Sequence, residues 1–438
     1  MMLTRKAGWR MPAGLATGLA AGLLLSACGF PYTPPALPAI ATAPSALPVG
    51  AAAGAPVTPS SPVTILVSID GLGANRLGKG LTPRIDALAA TGVSGAMRPS
   101  YPSNTFPNHI TLVTGLRPDR HGIVDQRMRD PARPGVTFRN TDPLTNRDPF
   151  WWGQLDPIWL QAERAGIRTG TLFWVGSDVA IRGRHASMWW PFDSAIGGDR
   201  RVDTVLDWLR RPDATRPSFV LLYFDAVDRA AHNQGYDSSE ERAAITATDA
   251  QIGRLVDTLA AMRQPANLLV VSDHGMAPVP PEHIRPRSEV IDPAIMEAIS
   301  EGPLLDIFPK PGMDAQVAAK LVRPPAHLTC WSRATIPARF RYGRNPRVPP
   351  FLCQADVGWS WPENPKGFTK GEHGYDNAEP AIRATFVANG PAFKAGKRLG
   401  VFDNVDVYPL LRELIGLPPA TGVDGDAARF VPVLKDRR

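Results

Sequence analysis

The sequence predicts an α/β fold with a mostly parallel sheet, and three observations carry that expectation. Val63–Ile69 (VTILVSI) is a continuous β-branched run ending at Asp70-Gly71, and residues 268–272 (LLVVS) repeat the form, ending at Asp273-His274-Gly275. Strands buried on both faces read this way, without the alternation of a half-exposed sheet. A third run, Phe219–Phe224 (FVLLYF), ends at Asp225. Residues 168–175 and 383–387 supply two further strands, and helical patterns fall at 83–90, 108–114, 157–165, 239–262 and 405–415. Strands alternating with helices give a parallel sheet flanked by helices. Residues 277–365 break the rhythm: they are rich in Pro and Arg, with short strand-like runs such as 339–342, and read as a small α+β subdomain, a cap inserted in a body spanning 62–432. No fixed-period repeat or heptad run occurs, which excludes solenoids and coiled coils.

With 438 residues, 44% hydrophobic and 20% charged, the chain can bury a sizeable core. Residues 1–27 stand apart from it. Arg5, Lys6 and Arg10 precede an apolar small-residue run ending Leu25-Ser26-Ala27-Cys28, an export signal that resembles a bacterial lipobox. On that reading Cys28 becomes a diacylglycerol-bearing N-terminus that anchors the protein through buried methylenes. The expected location is the periplasmic side of a bacterial membrane, and Gly29 after the Cys points to the outer one under the enterobacterial sorting rule. The apolar run is short for a membrane span and rich in Gly and Ala. Residues 28–61, nearly uncharged and dominated by Pro, Ala, Gly and Ser, read as a disordered tether. Cys330 and Cys353, 23 apart, are then a disulfide candidate in an oxidising periplasm. The net charge of +7 falls to +4 without the three leader cations. The remaining Lys and Arg are dispersed, so no duplex nucleic acid is expected as a partner.

Ligands of a parallel sheet bind beyond the carboxyl ends of its strands, and acids gather there. Asp70, Asp228 and the Asp273-His274 pair each follow an apolar run within a few residues. Singly, an Asp at a strand end is more often the cap of the following helix, and an Asp-His-Gly turn could equally be backbone capping. Together they would converge on one sheet edge. Asp228 and His232, four apart, share one face of a helical turn, the spacing two ligands of one ion need. His373 lies in Gly371-Glu372-His373-Gly374, where glycines permit close backbone approach. Carboxylates and imidazoles without thiolate suit zinc or a similar divalent ion, and six of them can form two open three-ligand sites. Two ions about 4 Å apart stabilise an in-line displacement at phosphorus. The nucleophile is then either water or a side chain. Thr105 lies just before Pro107 and an apolar helical run, which puts its hydroxyl at a helix N-terminus, as nucleophile or simply as cap.

Several segments settle the reading together: Ser68-Ile69-Asp70-Gly71, residues 102–109 (PSNTFPNH), residues 112–119 (LVTGLRPD), His121-Gly122-Ile123, Ser272-Asp273-His274-Gly275-Met276, and residues 371–374. In order and spacing they resemble the nucleotide pyrophosphatase/phosphodiesterase (type I phosphodiesterase) family of the alkaline phosphatase superfamily, from about residue 63 to 416. The resemblance implies an alkaline-phosphatase-like α/β fold and two Zn2+ per chain, one held by Asp228, His232 and His373, the other by Asp70, Asp273 and His274 beside Thr105. It implies that Thr105 attacks phosphorus to form a phosphothreonine that water then hydrolyses. It also implies a nucleotide or other phosphodiester substrate, whose base is sandwiched by Phe106 and Tyr223. Where many members carry an Asn that donates to a phosphate oxygen, this chain has Gln126, whose extra methylene shifts the donor. The alternatives keep the same site for a phosphomonoester, a phosphonate or a choline-type diester, or treat the chain as a non-catalytic surface lipoprotein. A sulfatase lacks support, because Thr105 is not in a Cys- or Ser-x-Pro-x-Arg context.

Overall fold

The computed structural model describes residues 62–366 and 370–436, and the leader, Cys28 and tether expected of residues 1–61 lie outside them. Among the described residues nine strands form the central sheet: β1 (Val63–Ile69), β2 (Val93–Arg98), β3 (Thr169–Leu172), β4 (Met188–Trp190), β5 (Phe219–Phe224), β6 (Ala266–Val271), β7 (Ala384–Asn389), β8 (Lys397–Arg398) and β9 (Phe402–Asp403). Their order is β8-β2-β7-β6-β1-β5-β3-β4, with β9 also paired to β2. β1 is central, parallel to β5 and β6. Every residue of it is buried. Its side chains alternate between two apolar layers, Leu66 packing with one and Ile65 and Val67 with the other, which is why the run carries no charged residue and its only polar side chains are the small hydroxyls of Thr64 and Ser68.

The sheet is mostly parallel, with β7 reversed against both neighbours, β6 and β2. β7 is entered from a short turn at Pro380–Ile382 rather than through a crossover helix, and only a parallel neighbour needs the crossover. β2 has no counterpart in the sequence reading. Ser94 and Gly95 interrupt its apolar pattern, and only Val93 and Met97 are buried.

Three helices position the site. α1 (Thr105–Thr114) is buried almost throughout. α2 (Ala226–Gln234) starts directly after β5. α3 (Ser239–Ala261) is capped by Ser238, whose hydroxyl accepts the Glu241 N–H, and it buries Ile245, Ile252, Leu255 and Leu259.

The inserted segment opens and closes on one short antiparallel ladder, with Ala277 opposite Glu372 and Pro278 opposite Gly371. Within it, strands Met296–Ala298, Leu304–Pro309, Phe351–Ala355 and Leu328–Ser332 form an antiparallel sheet in that order. Helix Asp314–Leu321 packs on this sheet through Val317 and Leu321. Cys330 and Cys353 stand opposite each other in register and are disulfide-bonded. Residues 339–342 are not a strand, contrary to the sequence reading. Pro337 leads into a 3-10 turn at Ala338–Phe340, Arg341 is left-handed at φ 50°, and Phe340 instead stacks on Tyr101 at 3.9 Å. Among the described residues no helix is long and apolar enough to cross a membrane.

Candidate active site

Strand register brings Ile69 beside Phe224 and Ser68 beside Val271. Asp70, the first turn of α2 and Asp273-His274 therefore emerge at one sheet edge. On α2, His232 Nε2 lies 3.4 Å from Asp228 Oδ1. The ladder closing the insert delivers His373, whose Nε2 lies 3.7 Å from the same oxygen. Asp228, His232 and His373 form one donor group and Asp70, Asp273 and His274 a second, the ligand atoms of each lying within 4.8 Å of one another. In the second, His274 Nε2 is 3.0 Å from Asp273 Oδ2 and 3.5 Å from Asp70 Oδ1. The groups adjoin, with the His274 and His373 rings stacked at 3.7 Å.

The surroundings aim these donors. His274 Nδ1 meets the Gly275 carbonyl at 3.0 Å and His373 Nδ1 the Ser103 carbonyl at 3.2 Å. Both contacts keep the proton on Nδ1 and leave Nε2 free to ligate. His232 Nδ1 lies 3.6 Å from Glu372. The glycines around His373 are required by space. A Cβ on Gly371 would stand 2.7 Å from the Ala231 carbonyl oxygen, and Gly374, at φ 88°, would press one to 2.6 Å from Asn104 Oδ1.

Asp70 Oδ1, Asp228 Oδ1 and Asp273 Oδ2 are buried without a hydrogen-bond donor. Such oxygens are costly unless a cation faces them. Burial pushes the Asp70 carboxyl well above its usual range, and the charges of Asp273 and Asp228 push it further. Burial likewise raises Asp228. Burial would lower His232, yet Asp228 and Glu372 carry it up to about 10. Clustered carboxylates with interleaved imidazoles are relieved by divalent cations, and the nitrogen and oxygen donors present fit a pair of them.

α1 begins at Thr105 and its N-cap position is Asn104, so Thr105 is not the cap. Its hydroxyl lies 3.2 Å from His274 Nε2. It stands in a first turn whose N–H groups lack intrahelical partners, and there Pro107 forfeits no hydrogen bond. His109 braces this turn: Nδ1 is 2.9 Å from the Thr105 carbonyl and 3.4 Å from Asp273 Oδ2, and Nε2 is 2.8 Å from Ser68 Oγ. The sequence reading gave His109 and Glu372 no role, although both stand inside segments it marked.

A cavity of about 520 Å³ opens on Thr105, walled by Phe106, Gln126, Trp152, Phe173, Phe192 and Tyr223 among others. Gln126 Oε1 accepts from Asn140 Nδ2 at 2.7 Å, which fixes the longer side chain and turns its amide N–H groups to other partners. Tyr223 is only 7% exposed, its hydroxyl donates to Asp70 Oδ2, and its ring meets His109 edge-on at 5.1 Å. Phe192, unmarked in the sequence reading, is 41% exposed and in tilted contact with Tyr223 at 6.0 Å. It follows the edge strand β4 in a Trp-Trp-Pro-Phe stretch that carries no motif.

Residues 64–376 match the type I phosphodiesterase/nucleotide pyrophosphatase family. An uncharacterized pyrophosphatase/phosphodiesterase of Schizosaccharomyces pombe is 35% identical over 398 residues, covering 85% of this chain and 80% of its own. Mouse ectonucleotide pyrophosphatase/phosphodiesterase family member 1 is 33% identical over 82% of this chain, which spans 41% of that longer protein. Among solved structures, an inactive Thr-to-Ala variant of murine ectonucleotide pyrophosphatase/phosphodiesterase 5 in complex with AMP superposes with a TM-score of 0.81. It is 30% identical, covering 86% of this chain and 100% of its own. The chain thus belongs to the type I phosphodiesterase/nucleotide pyrophosphatase family and is a hydrolase of phosphodiester or pyrophosphate bonds on an alkaline-phosphatase-like α/β fold.

Proposed function

We propose that the enzyme cleaves nucleotide phosphodiester or pyrophosphate bonds through a phosphothreonine on Thr105, with one zinc ion held by Asp228, His232 and His373 and another by Asp70, Asp273 and His274. One observation carries this reading: the Thr105 hydroxyl stands at a helix N-terminus, 3.2 Å from His274 Nε2, beside three donor-less buried carboxylate oxygens. When bound, the ions supply positive charge that stabilises the phosphoryl oxygens and the departing oxygen. The chain does the rest. Thr105 Oγ forms a bond to phosphorus as the bond to the leaving oxygen breaks, and water later cleaves the Thr105 ester to restore the hydroxyl. The first-turn N–H groups of α1 and the Gln126 amide face the phosphoryl group with preorganised donors. Phe106 and Phe192 offer aromatic faces for a base, and the AMP held by the murine relative supports a nucleotide in this cavity. Cys28 is the proposed lipid-bearing residue of an exported outer-membrane lipoprotein, with residues 28–61 as its tether.

The test follows a chromogenic nucleotide diester with wild type, Thr105→Ala and chelator-treated protein, together with metal content. Activity lost in both treatments, with about two ions per loaded chain, is expected. Undiminished turnover by Thr105→Ala would overturn the covalent route. A Cys28→Ser protein should leave the membrane fraction.

A further inference from the structure

A second pair of acids lies outside both donor groups, beside the loop that leads into α1. Asp125, 2% exposed, follows the His121-Gly122-Ile123 segment, and Asp306, 1% exposed, comes from the insert's strand Leu304–Pro309. Their carboxyl groups are within hydrogen-bonding reach of each other. Two carboxylates in such buried contact do not both stay ionised, so one carries a proton.

The hydrogen bonds identify which. Asp125 Oδ1 accepts from Asn104 Nδ2 at 2.6 Å and from the Gln126 backbone N–H at 2.7 Å, the surroundings of a stabilised anion. Asp306 Oδ1 is buried with no donor. We propose that Asp306 is a neutral acid whose O–H donates to Asp125, and that the pair is a positioning device holding Asn104 and Gln126 on either side of Thr105.

Burial raises the Asp125 carboxyl as well, but the hydrogen bonds from Asn104 and Gln126 oppose that rise, and no such bonds reach Asp306 Oδ1. Burial and the charge of Asp125 push the Asp306 carboxyl well above its usual range. Arg127 is the guanidinium that faces both acids, and it is engaged by Glu301 at 3.5 Å and by the Ile299 carbonyl at 3.2 Å. The hydroxyls of Tyr101 and Tyr342 also face Asp306, but they donate to Gln354 and to the Val124 carbonyl. Neither replaces the missing donor. The consequence for the reaction is specific. Asn104 is the N-cap of α1 and Gln126 a wall of the cavity, so a residue of the insert governs the placement of the nucleophile's neighbours. Asp306 touches neither substrate nor metal in this scheme and acts only through Asp125.

The test compares wild type, Asp306→Asn and Asp306→Ala as metal-loaded enzymes. Infrared difference spectra of wild type minus Asp306→Asn at pH 8 should contain the carbonyl band of a protonated carboxylic acid. That measurement is independent of turnover. The kinetic arm rests on Thr105 being the nucleophile. Asp306→Asn, whose amide N–H replaces the O–H, should retain most of kcat and lose any alkaline limb due to this proton. Asp306→Ala should lower kcat about 10- to 100-fold with a smaller change in KM, the range typical of partners that orient functional groups. Absence of the acid band overturns the proposal, even if Asp306→Ala fails to fold. So does an Asp306→Asn enzyme as impaired as Asp306→Ala. If the band is present while Thr105→Ala stays active, the reading of Thr105 falls and the protonated pair stands.

Discussion

Replacing Tyr223 by Phe removes one oxygen atom and leaves the ring in place. That oxygen donates to Asp70 Oδ2, while Asp70 Oδ1, 3.5 Å from His274 Nε2 within the second donor group, has no hydrogen bond of its own. At 7% exposure, water has little access to replace the lost donor. A hydrogen bond to a charged group contributes about 1.5–3 kcal/mol net, which at 1.4 kcal/mol per tenfold corresponds to roughly 10- to 140-fold in the hold on the ion at Asp70. Orienting partners of metal ligands fall in the same range. The assay is a chelator titration with metal content read at each step, followed by KM for a nucleotide diester at saturating metal. Tyr223→Phe should release one of two ions at a correspondingly lower chelator concentration, with KM unchanged. Unaltered chelator resistance together with a raised KM would refute the argument and return Tyr223 to the substrate.

Three further outcomes are expected. Phe192→Ala should raise KM for nucleotide substrates about 5- to 140-fold, the range for one base stacked on an aromatic ring, while a non-nucleotide nitrophenyl diester is unaffected; equal loss on both would remove Phe192 from base recognition. In chelated protein His232 sits near 10 against an ordinary value of 6.5, so folding favours its protonated form. That stabilisation is full below about pH 6.5 and is lost as pH rises towards 10, so the Tm of chelated protein should fall across this window. Metal-loaded protein, whose ligating imidazole is already deprotonated, should not show this fall. Finally, Cys330→Ala with Cys353→Ala opens a cross-link of sequence separation 23 and should cost about 2–4 kcal/mol in denaturant unfolding; an unchanged midpoint would show that the insert's sheet holds without it.

The central strands were legible because burial on both faces leaves long runs without a charge, as in β1 and β5. The donor residues were legible only as a set, since an Asp at the end of such a run has a common structural use as a helix cap. β2 escaped because it is half exposed and carries Gly95, so neither period nor composition marks it. Residues 339–342 misled because an aromatic and basic run imitates a strand, while the backbone there is set by Pro337 and the left-handed Arg341. Tyr223 shows a different limit. Its place in an apolar strand fixed its burial, but its hydroxyl partner, Asp70, comes from the adjacent strand and depends on register. Asp125 and Asp306 are far apart in the chain and meet only through the insert's packing, which no local pattern encodes.

The two-pair ladder at Ala277–Pro278 and Gly371–Glu372 has a consequence for how the enzyme matures. His373 adjoins that ladder, and it is the one donor of the six that arrives after the insert. Until the long loop has closed on itself, the Asp228 group is short of a ligand, and loop closure over such a distance is slow compared with local pairing. A nascent chain thus holds an incomplete centre until nearly its whole length has been ordered, so activity would report completed folding. The same ladder lets the loop grow or shrink between its pinned ends without moving His373, and because the described walls of the cavity on Thr105 come from outside the insert, such changes leave the chemistry fixed.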